Sequence, residues 1–153
     1  MTDPRQVNGW TLLFHPAFLE QLQALTGAVE KARRKDPEGY RKKASARRLA
    51  AIRKLVFEVI PNDPADPAFR QGKTLGPARA HWFRAKFLQR YRLFFRYDSA
   101  AKIIIFAWVN DEATQRAAGA TSDPYAVFTR MLERGHPPDD WAALVTAARR
   151  ADD

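Results

Sequence analysis

Trp10-Thr11-Leu12-Leu13-Phe14 is a short apolar run that His15-Pro16 brings to a close, the pattern of a strand and its exit. Pro16 suits the first turn of a helix, where its missing N–H would have no partner. Beyond it Phe18, Leu22, Leu25 and Val29 recur at helical spacing, so a first amphipathic helix is expected to about Arg34. Asp36-Pro37-Glu38 has the form of a second helix start, an acidic cap followed by proline. Leu49, Ile52, Val56, Val59 and Ile60 supply that helix's buried stripe, while Lys43, Arg47 and Lys54 fall on the opposite face and read first as solvated. Pro61, Pro64 and Pro67 end the helix and open an irregular loop that runs through Gly72 and Gly76 to about His81.

Three strands are expected next. Trp82 to Phe87 alternates, with Trp82, Arg84 and Lys86 on one face, and Arg90 to Tyr97 alternates again, with Arg90, Arg92, Phe94 and Arg96 together. Lys102 to Val109 is apolar on both faces, as a covered central strand would be. Connections this short require antiparallel neighbours. Asp123-Pro124 then opens a helix with Tyr125, Phe128 and Leu132 as its stripe, Gly135 ends it, and Pro138-Asp139 starts a last helix carrying Trp141, Leu144 and Val145. The order β-α-α-β-β-β-α-α predicts an α+β domain with helices packed on one face of an antiparallel sheet.

Composition narrows the function. The 153 residues suit one domain, without repeats or an interdomain linker. Lys and Arg number 26 against 17 Asp and Glu, a net charge of +9, which favours an anionic partner, nucleic acid first. The absence of cysteine excludes disulfides, thiolate metal sites and a cysteine nucleophile. The start Met1-Thr2-Asp3-Pro4-Arg5-Gln6 lacks a signal-peptide pattern, and the run from Ile103 to Val109 is far short of the roughly 20 apolar residues of a spanning helix. A soluble, cytoplasmic protein is expected.

Charge then points to a place. Between Pro67 and Tyr97 no Asp or Glu occurs, yet the stretch holds Arg70, Lys73, Arg79, Arg84, Lys86, Arg90, Arg92 and Arg96. If the apolar residues of both strands share a face, the expected register sets Trp82 opposite Phe94, Arg84 opposite Arg92 and Lys86 opposite Arg90. Facing like charges destabilise a sheet, so two such pairs make sense if a phosphate backbone supplies the counter-charge. Protection of a sheet edge is the plainer alternative. With nucleic acid as that partner, Trp82 and Phe94 would form a stacking platform for bases, with Arg90, Arg96, Lys73 and Arg79 as further nucleic-acid contacts. Gly72-Lys73-Thr74 lacks the remainder of a P-loop. His15, His81 and His136 lack metal-ligand spacing, and Asp98, Asp111 and Glu112 read as turn residues, so neither a metal nor a cofactor is expected.

The strand Tyr91-Arg92-Leu93-Phe94-Phe95-Arg96-Tyr97 and the following apolar strand, ending Trp108-Val109-Asn110-Asp111-Glu112, resemble the RelE-like toxins of bacterial toxin–antitoxin pairs. The resemblance is closest to the YhaV-type toxins. It extends over Val7-Asn8-Gly9-Trp10, His15-Pro16, Asp36-Pro37-Glu38, Pro67-Ala68-Phe69-Arg70, Gly72-Lys73-Thr74-Leu75-Gly76 and Arg134-Gly135-His136-Pro137-Pro138. It implies a single RelE-like toxin domain over 1–153 with a C-terminal helical extension at about 123–150. It also implies a metal-independent endoribonuclease that cuts mRNA, on the ribosome or free, and is neutralised by a PrlF-like antitoxin of the AbrB type, which links it to operator DNA. Arg84, Lys86 and Arg92 match the family's basic strand residues. RelE-type toxins often carry an Arg just after the last strand and a Tyr near the C-terminus. Here Asn110-Asp111-Glu112 follows the strand, so Arg116 and Tyr125 are only loose substitutes and the general base is left unassigned. Arg84 and Arg92 are suited to clamp phosphate through their guanidinium forks, Lys86 to proton transfer, and His81 to serve as the alternative acid or base. The competing class is a non-catalytic RNA- or DNA-binding module using the same basic face. A membrane-surface protein ranks third, since no helix pairs basic residues with a broad apolar face.

Overall fold

The computed structural model describes residues 5–151, so Met1 to Pro4, part of the stretch inspected for a signal, lie outside it. Five strands form one sheet in the order β1-β2-β5-β4-β3: β1 (Arg5–Val7), β2 (Trp10–Phe14), β3 (Phe83–Phe87), β4 (Tyr91–Asp98) and β5 (Ile103–Val109). β1 was not foreseen. It pairs with β2 through a turn at Asn8 and Gly9, both in the left-handed region that asparagine and glycine tolerate.

The α+β class stands, but two details are corrected. The sheet is mixed rather than antiparallel, because β2 lies parallel to β5, with Leu12 beside Ile104 and Leu13 beside Ile105. A chain leaving β2 needs a long crossover to return parallel, and α1 (Pro16–Lys35) and α2 (Ala44–Lys54) supply it. The helices also cover both faces rather than one. Phe18 and Leu25 of α1 and Ile52 and Val56 after it pack with Leu12, Ile104, Phe106, Leu93 and Phe95 on one face. Tyr125, Phe128 and Leu132 of α4 (Pro124–Glu133) and Leu144 and Ala148 of α5 (Trp141–Ala151) pack with Leu13, Ile105 and Phe94 on the other. The doubly apolar β5 is the sequence signature of this two-sided cover.

The second helix starts later than its sequence suggests. Asp36 closes α1 and its carboxylate accepts the Gly39 N–H at 3.0 Å, so the Asp36-Pro37-Glu38 signal makes a turn and α2 begins at Ala44. At its far end the helix widens into a π turn, Leu55–Val59, before the single turn α3 (Ile60–Asn62). Pro61 has no N–H to give and its ring crowds the preceding turn, which accounts for the widening.

His15 caps α1. Its Nδ1 accepts the Ala17 N–H at 3.0 Å, which an imidazolium cannot do. Burial, and then the neighbouring His136, push its pKa down from 6.5 to about 4. The unfolded chain therefore takes up this proton first as pH falls below 6.5, and stability drops until about pH 4, by on the order of 3 kcal/mol. Urea unfolding at pH 7 and pH 4.5 checks this. His15→Asn, which caps without titrating, should lose less stability on acidification than the parent chain. Equal losses would mean that His15 does not set the acid limit.

Candidate active site

The β3–β4 hairpin fixes the basic residues. Its register is Arg84 opposite Phe94, Lys86 opposite Arg92 and Phe87 opposite Tyr91, two residues away from the expected pairing. The reason is the turn. Leu88, Gln89 and Arg90 form it, and Leu88 (φ 45°) and Gln89 (φ 69°) are held in left-handed conformations uncommon for such side chains. A shift of two preserves faces, so Arg84, Lys86, Arg92 and Phe94 still lie together, but Arg90 moves into the turn and Arg84 no longer faces Arg92. One like-charged pair remains, Lys86 with Arg92.

A β-bulge at Ala107 then carries the opposite wall. Phe94 pairs with Trp108 and Phe95 with Phe106, leaving Ala107 unpaired between them. Phe94 and Trp108 thereby meet Phe128 of α4, with Phe94 stacked on it at 4.3 Å. This packing lays Tyr125, one turn earlier on α4, over the hairpin.

Its hydroxyl is where the arginines converge. Arg84 Nε donates to Tyr125 Oη at 2.9 Å and Arg92 Nε at 3.1 Å. Arg84 Nη1 also donates to the Ala68 carbonyl, and Arg92 Nη1 to those of Gln89 and Tyr91, all at 2.9 Å. Both guanidiniums are thus buried yet hydrogen-bonded, and Arg92 pins the strained turn. Arg116 brings a third guanidinium 5.0 Å above the Tyr125 ring. Two groups hold it there. Asn110 ties the hairpin to the loop after β5 through Arg92 N–H, the Arg90 carbonyl and the Thr114 carbonyl. Asp123, the buried cap of α4, accepts from Arg116 Nη1 and Ala117 N–H with one oxygen and from Tyr125 N–H with the other. One carboxylate therefore fixes both the arginine and the tyrosine.

The other sequence candidates lie elsewhere. Trp82 and Phe94 are fully buried beneath α4 and α5, so they stiffen the core and offer no stacking platform. His81 Nε2 meets Asp139 Oδ1 at 2.8 Å, and Trp82 Nε1 donates to the same oxygen at 2.7 Å. Burial opposes the Asp139 charge, but the bonds from Trp82 and His81 and the charges of His81 and Arg96 outweigh it, holding this carboxyl below its ordinary pKa. Arg96 lies between the Trp82 and Trp141 rings and donates to the Asp139 carbonyl at 2.6 Å. His81 and Arg96 thus belong to a clasp around Asp139 and share no partner with Arg84 or Arg92. Arg90 and Lys73 are exposed, and Arg79 donates to the Leu75 carbonyl.

From the sequence, Tyr125 falls in the apolar stripe of its helix, and it and Arg116 are only loose substitutes for the family's residues. The stripe was right: the ring lies in the core, and the hydroxyl is what the two arginines reach. No one-dimensional spacing shows a hydroxyl that arrives between two arginines from a strand pair about 30–40 residues away.

What the cluster offers is a dense array of guanidinium donors around one phenol, with an exposed lysine opposite Arg92 and, among the described residues, no carboxylate except the one that orients Arg116. Such donors stabilise charge developing on a phosphate in a low-dielectric setting. The family of toxins with endonuclease activity from toxin–antitoxin systems, the YhaV toxins, matches residues 12–149. The ribonuclease toxin YhaV of Escherichia coli K12 and the toxin YhaV of E. coli O6:H1 are each 49% identical over 146 residues, spanning 94% of this chain and 95% of theirs. Among solved structures, a chain of the RelBE2 toxin–antitoxin complex from Mycobacterium tuberculosis is similar at 22% identity and a TM-score of 0.45, over 72% of this chain and 99% of that one.

Proposed function

This chain belongs to the YhaV family and is a ribonuclease toxin of a toxin–antitoxin system, and from that premise we propose that it cuts mRNA without a metal, at the Arg84–Tyr125–Arg92 cluster. The observation that carries this reading is the convergence of two guanidiniums on the Tyr125 hydroxyl.

The reaction is attack of a ribose 2′-oxygen on its own 3′-phosphate. The 2′-O–H bond breaks as a base takes the proton, the O–P bond forms, and the P–O5′ bond breaks as the leaving oxygen is protonated. Tyr125 suits the last step. Both acceptor sites of its oxygen are taken by Arg84 and Arg92, so what it has to offer is its proton. Arg92 and Arg116 face the charge building on the phosphorane. Lys86, exposed and opposite Arg92, is the candidate to take the 2′-proton in its neutral form. His81 is not needed in this scheme, since its ring is held by Asp139.

Cleavage should therefore persist in EDTA and leave 2′,3′-cyclic phosphate or 3′-phosphate ends. Activity lost to chelation and restored by magnesium would overturn the mechanism. Groups of three or more His, Asp or Glu able to hold an ion are absent among the described residues, and no described helix is long and apolar enough to cross a membrane. A toxin–antitoxin toxin has an antitoxin partner. We propose further that this partner is of the PrlF-like AbrB type, that it tethers the toxin to operator DNA, that an acidic segment of it covers the cluster, and that the encounter takes place in the cytoplasm. Complementary charge would speed that encounter. The competing class read from the sequence, a non-catalytic binding module, is set aside, because the chain's family is one of toxins with endonuclease activity.

A further inference from the structure

Beside Tyr125 the surface opens into a cleft of about 470 Å³ that the chemistry above does not use. Its walls come from three places: Thr74 in the loop before β3, Gly119 and Ala120 before α4, and Ala126, Thr129 and Arg130 along one face of α4. The spacing 126, 129 and 130 is that of neighbours on a helix, so these residues share the face that continues from Tyr125. Arg116, Asp123 and Tyr125 complete the lining. We propose that this cleft seats the nucleobase of one of the two nucleotides flanking the cut, and so sets which sequences the enzyme cuts. This inference rests on the reading that Tyr125 belongs to the cleavage centre.

Four observations carry it. The cleft shares Tyr125 and Arg116 with the cluster, so a phosphate held there places an adjoining base at the cleft mouth. Its volume lies within the range of about 300–1,000 Å³ that small ligands occupy. Its lining includes the small Gly119, Ala120 and Ala126, which leave room for a ring, and the cationic Arg116 and Arg130. Single-stranded RNA is read in this way, with splayed bases lying on guanidinium planes and hydrogen-bonded at their edges. The two threonines add selectivity. Thr129 Oγ1 donates to the Tyr125 carbonyl at 2.7 Å and Thr74 Oγ1 to Gln71 Oε1 at 2.6 Å. Each hydroxyl has committed its one proton inside the fold and can only accept from a ligand. Acceptors match the exocyclic amino group of adenine, cytosine or guanine, whereas uracil offers only its ring N3–H.

The test is a cycle between protein and substrate. A short RNA with one mapped cut is compared with the same RNA made abasic on either side of that cut, the 2′-OH being retained. Removing one of the two bases should lower kcat/KM about 10-fold or more, the scale of a single stacked base. Ala126→Phe, which fills the cleft, and Arg130→Gln, which sits at its exposed rim, should lose a similar factor on the intact RNA and no further factor on that abasic RNA. Thermal unfolding identifies a variant that has lost its fold, in which case the remaining one decides. Penalties that multiply independently, or an abasic RNA cut as well as the intact one, would overturn the proposal while leaving the cleavage centre standing. Failure of the parent chain to cut any RNA would take both readings down.

Discussion

Tyr125→Phe is expected to lower RNA cleavage by about 10²- to 10⁴-fold, the range over which a positioned proton donor acts. The substitution removes one oxygen and leaves the ring, which packs in the core beside Phe94 at 5.6 Å. The cost does not stop at catalysis. Arg84 Nε and Arg92 Nε lose their shared acceptor, and each is buried. Leaving such donors without a partner costs about 1–3 kcal/mol, which urea unfolding should register. RNA affinity should change far less, because Lys86, Arg90 and Arg116 remain. A variant that cuts at the parent rate would place Tyr125 among the scaffold residues alone.

The second large effect separates the two members of the cationic pair. Arg92→Met should be destabilised by about 1–3 kcal/mol, since the Gln89 and Tyr91 carbonyls and Tyr125 Oη all lose a donor. Cleavage should fall about 10²- to 10³-fold, as on removal of a donor to a developing oxyanion. Lys86→Met should behave differently. Lys86 is exposed and faces Arg92, so losing its charge relieves a cross-strand repulsion, and stability should hold or rise by roughly 0.2–1 kcal/mol while cleavage falls. Unfolding and cleavage measured on the same preparations decide the matter. An Arg92→Met variant as stable as the parent chain would mean that Arg92 faces Arg84, the register first expected from the sequence.

That register shows how far the chain could be read without coordinates. Alternation assigned faces correctly, and a shift of two leaves faces untouched, which is why Arg84, Lys86 and Arg92 were grouped before the turn was known. The pairing itself depended on Leu88 and Gln89 adopting positive φ, and nothing in their identity announces that. The parallel contact of β2 with β5 was equally hidden, because the crossover through α1 and α2 is a tertiary choice, although the doubly apolar β5 already implied two covered faces. Trp82 and Phe94 were misassigned as a platform for the same reason: aromatic residues beside cations look alike whether a helix or an RNA base lies on them. Asp123-Pro124 was read as opening a helix, and Asp123 is that helix's cap. Its second duty, holding Arg116, exists only once the loop after β5 folds back.

The proposed place of RNA cleavage is where Arg84 and Arg92 meet Tyr125. Its most direct test is a crystal structure of the protein with a short RNA carrying a single 2′-deoxynucleotide at the cut, which should bind and resist cleavage. The scissile phosphate should lie within hydrogen-bonding distance of the Arg92 or Arg116 guanidinium, with Tyr125 Oη toward the leaving 5′-oxygen and Lys86 beside the position of the missing hydroxyl. A phosphate seated elsewhere, with the Arg84–Tyr125–Arg92 cluster closed and untouched, would contradict it.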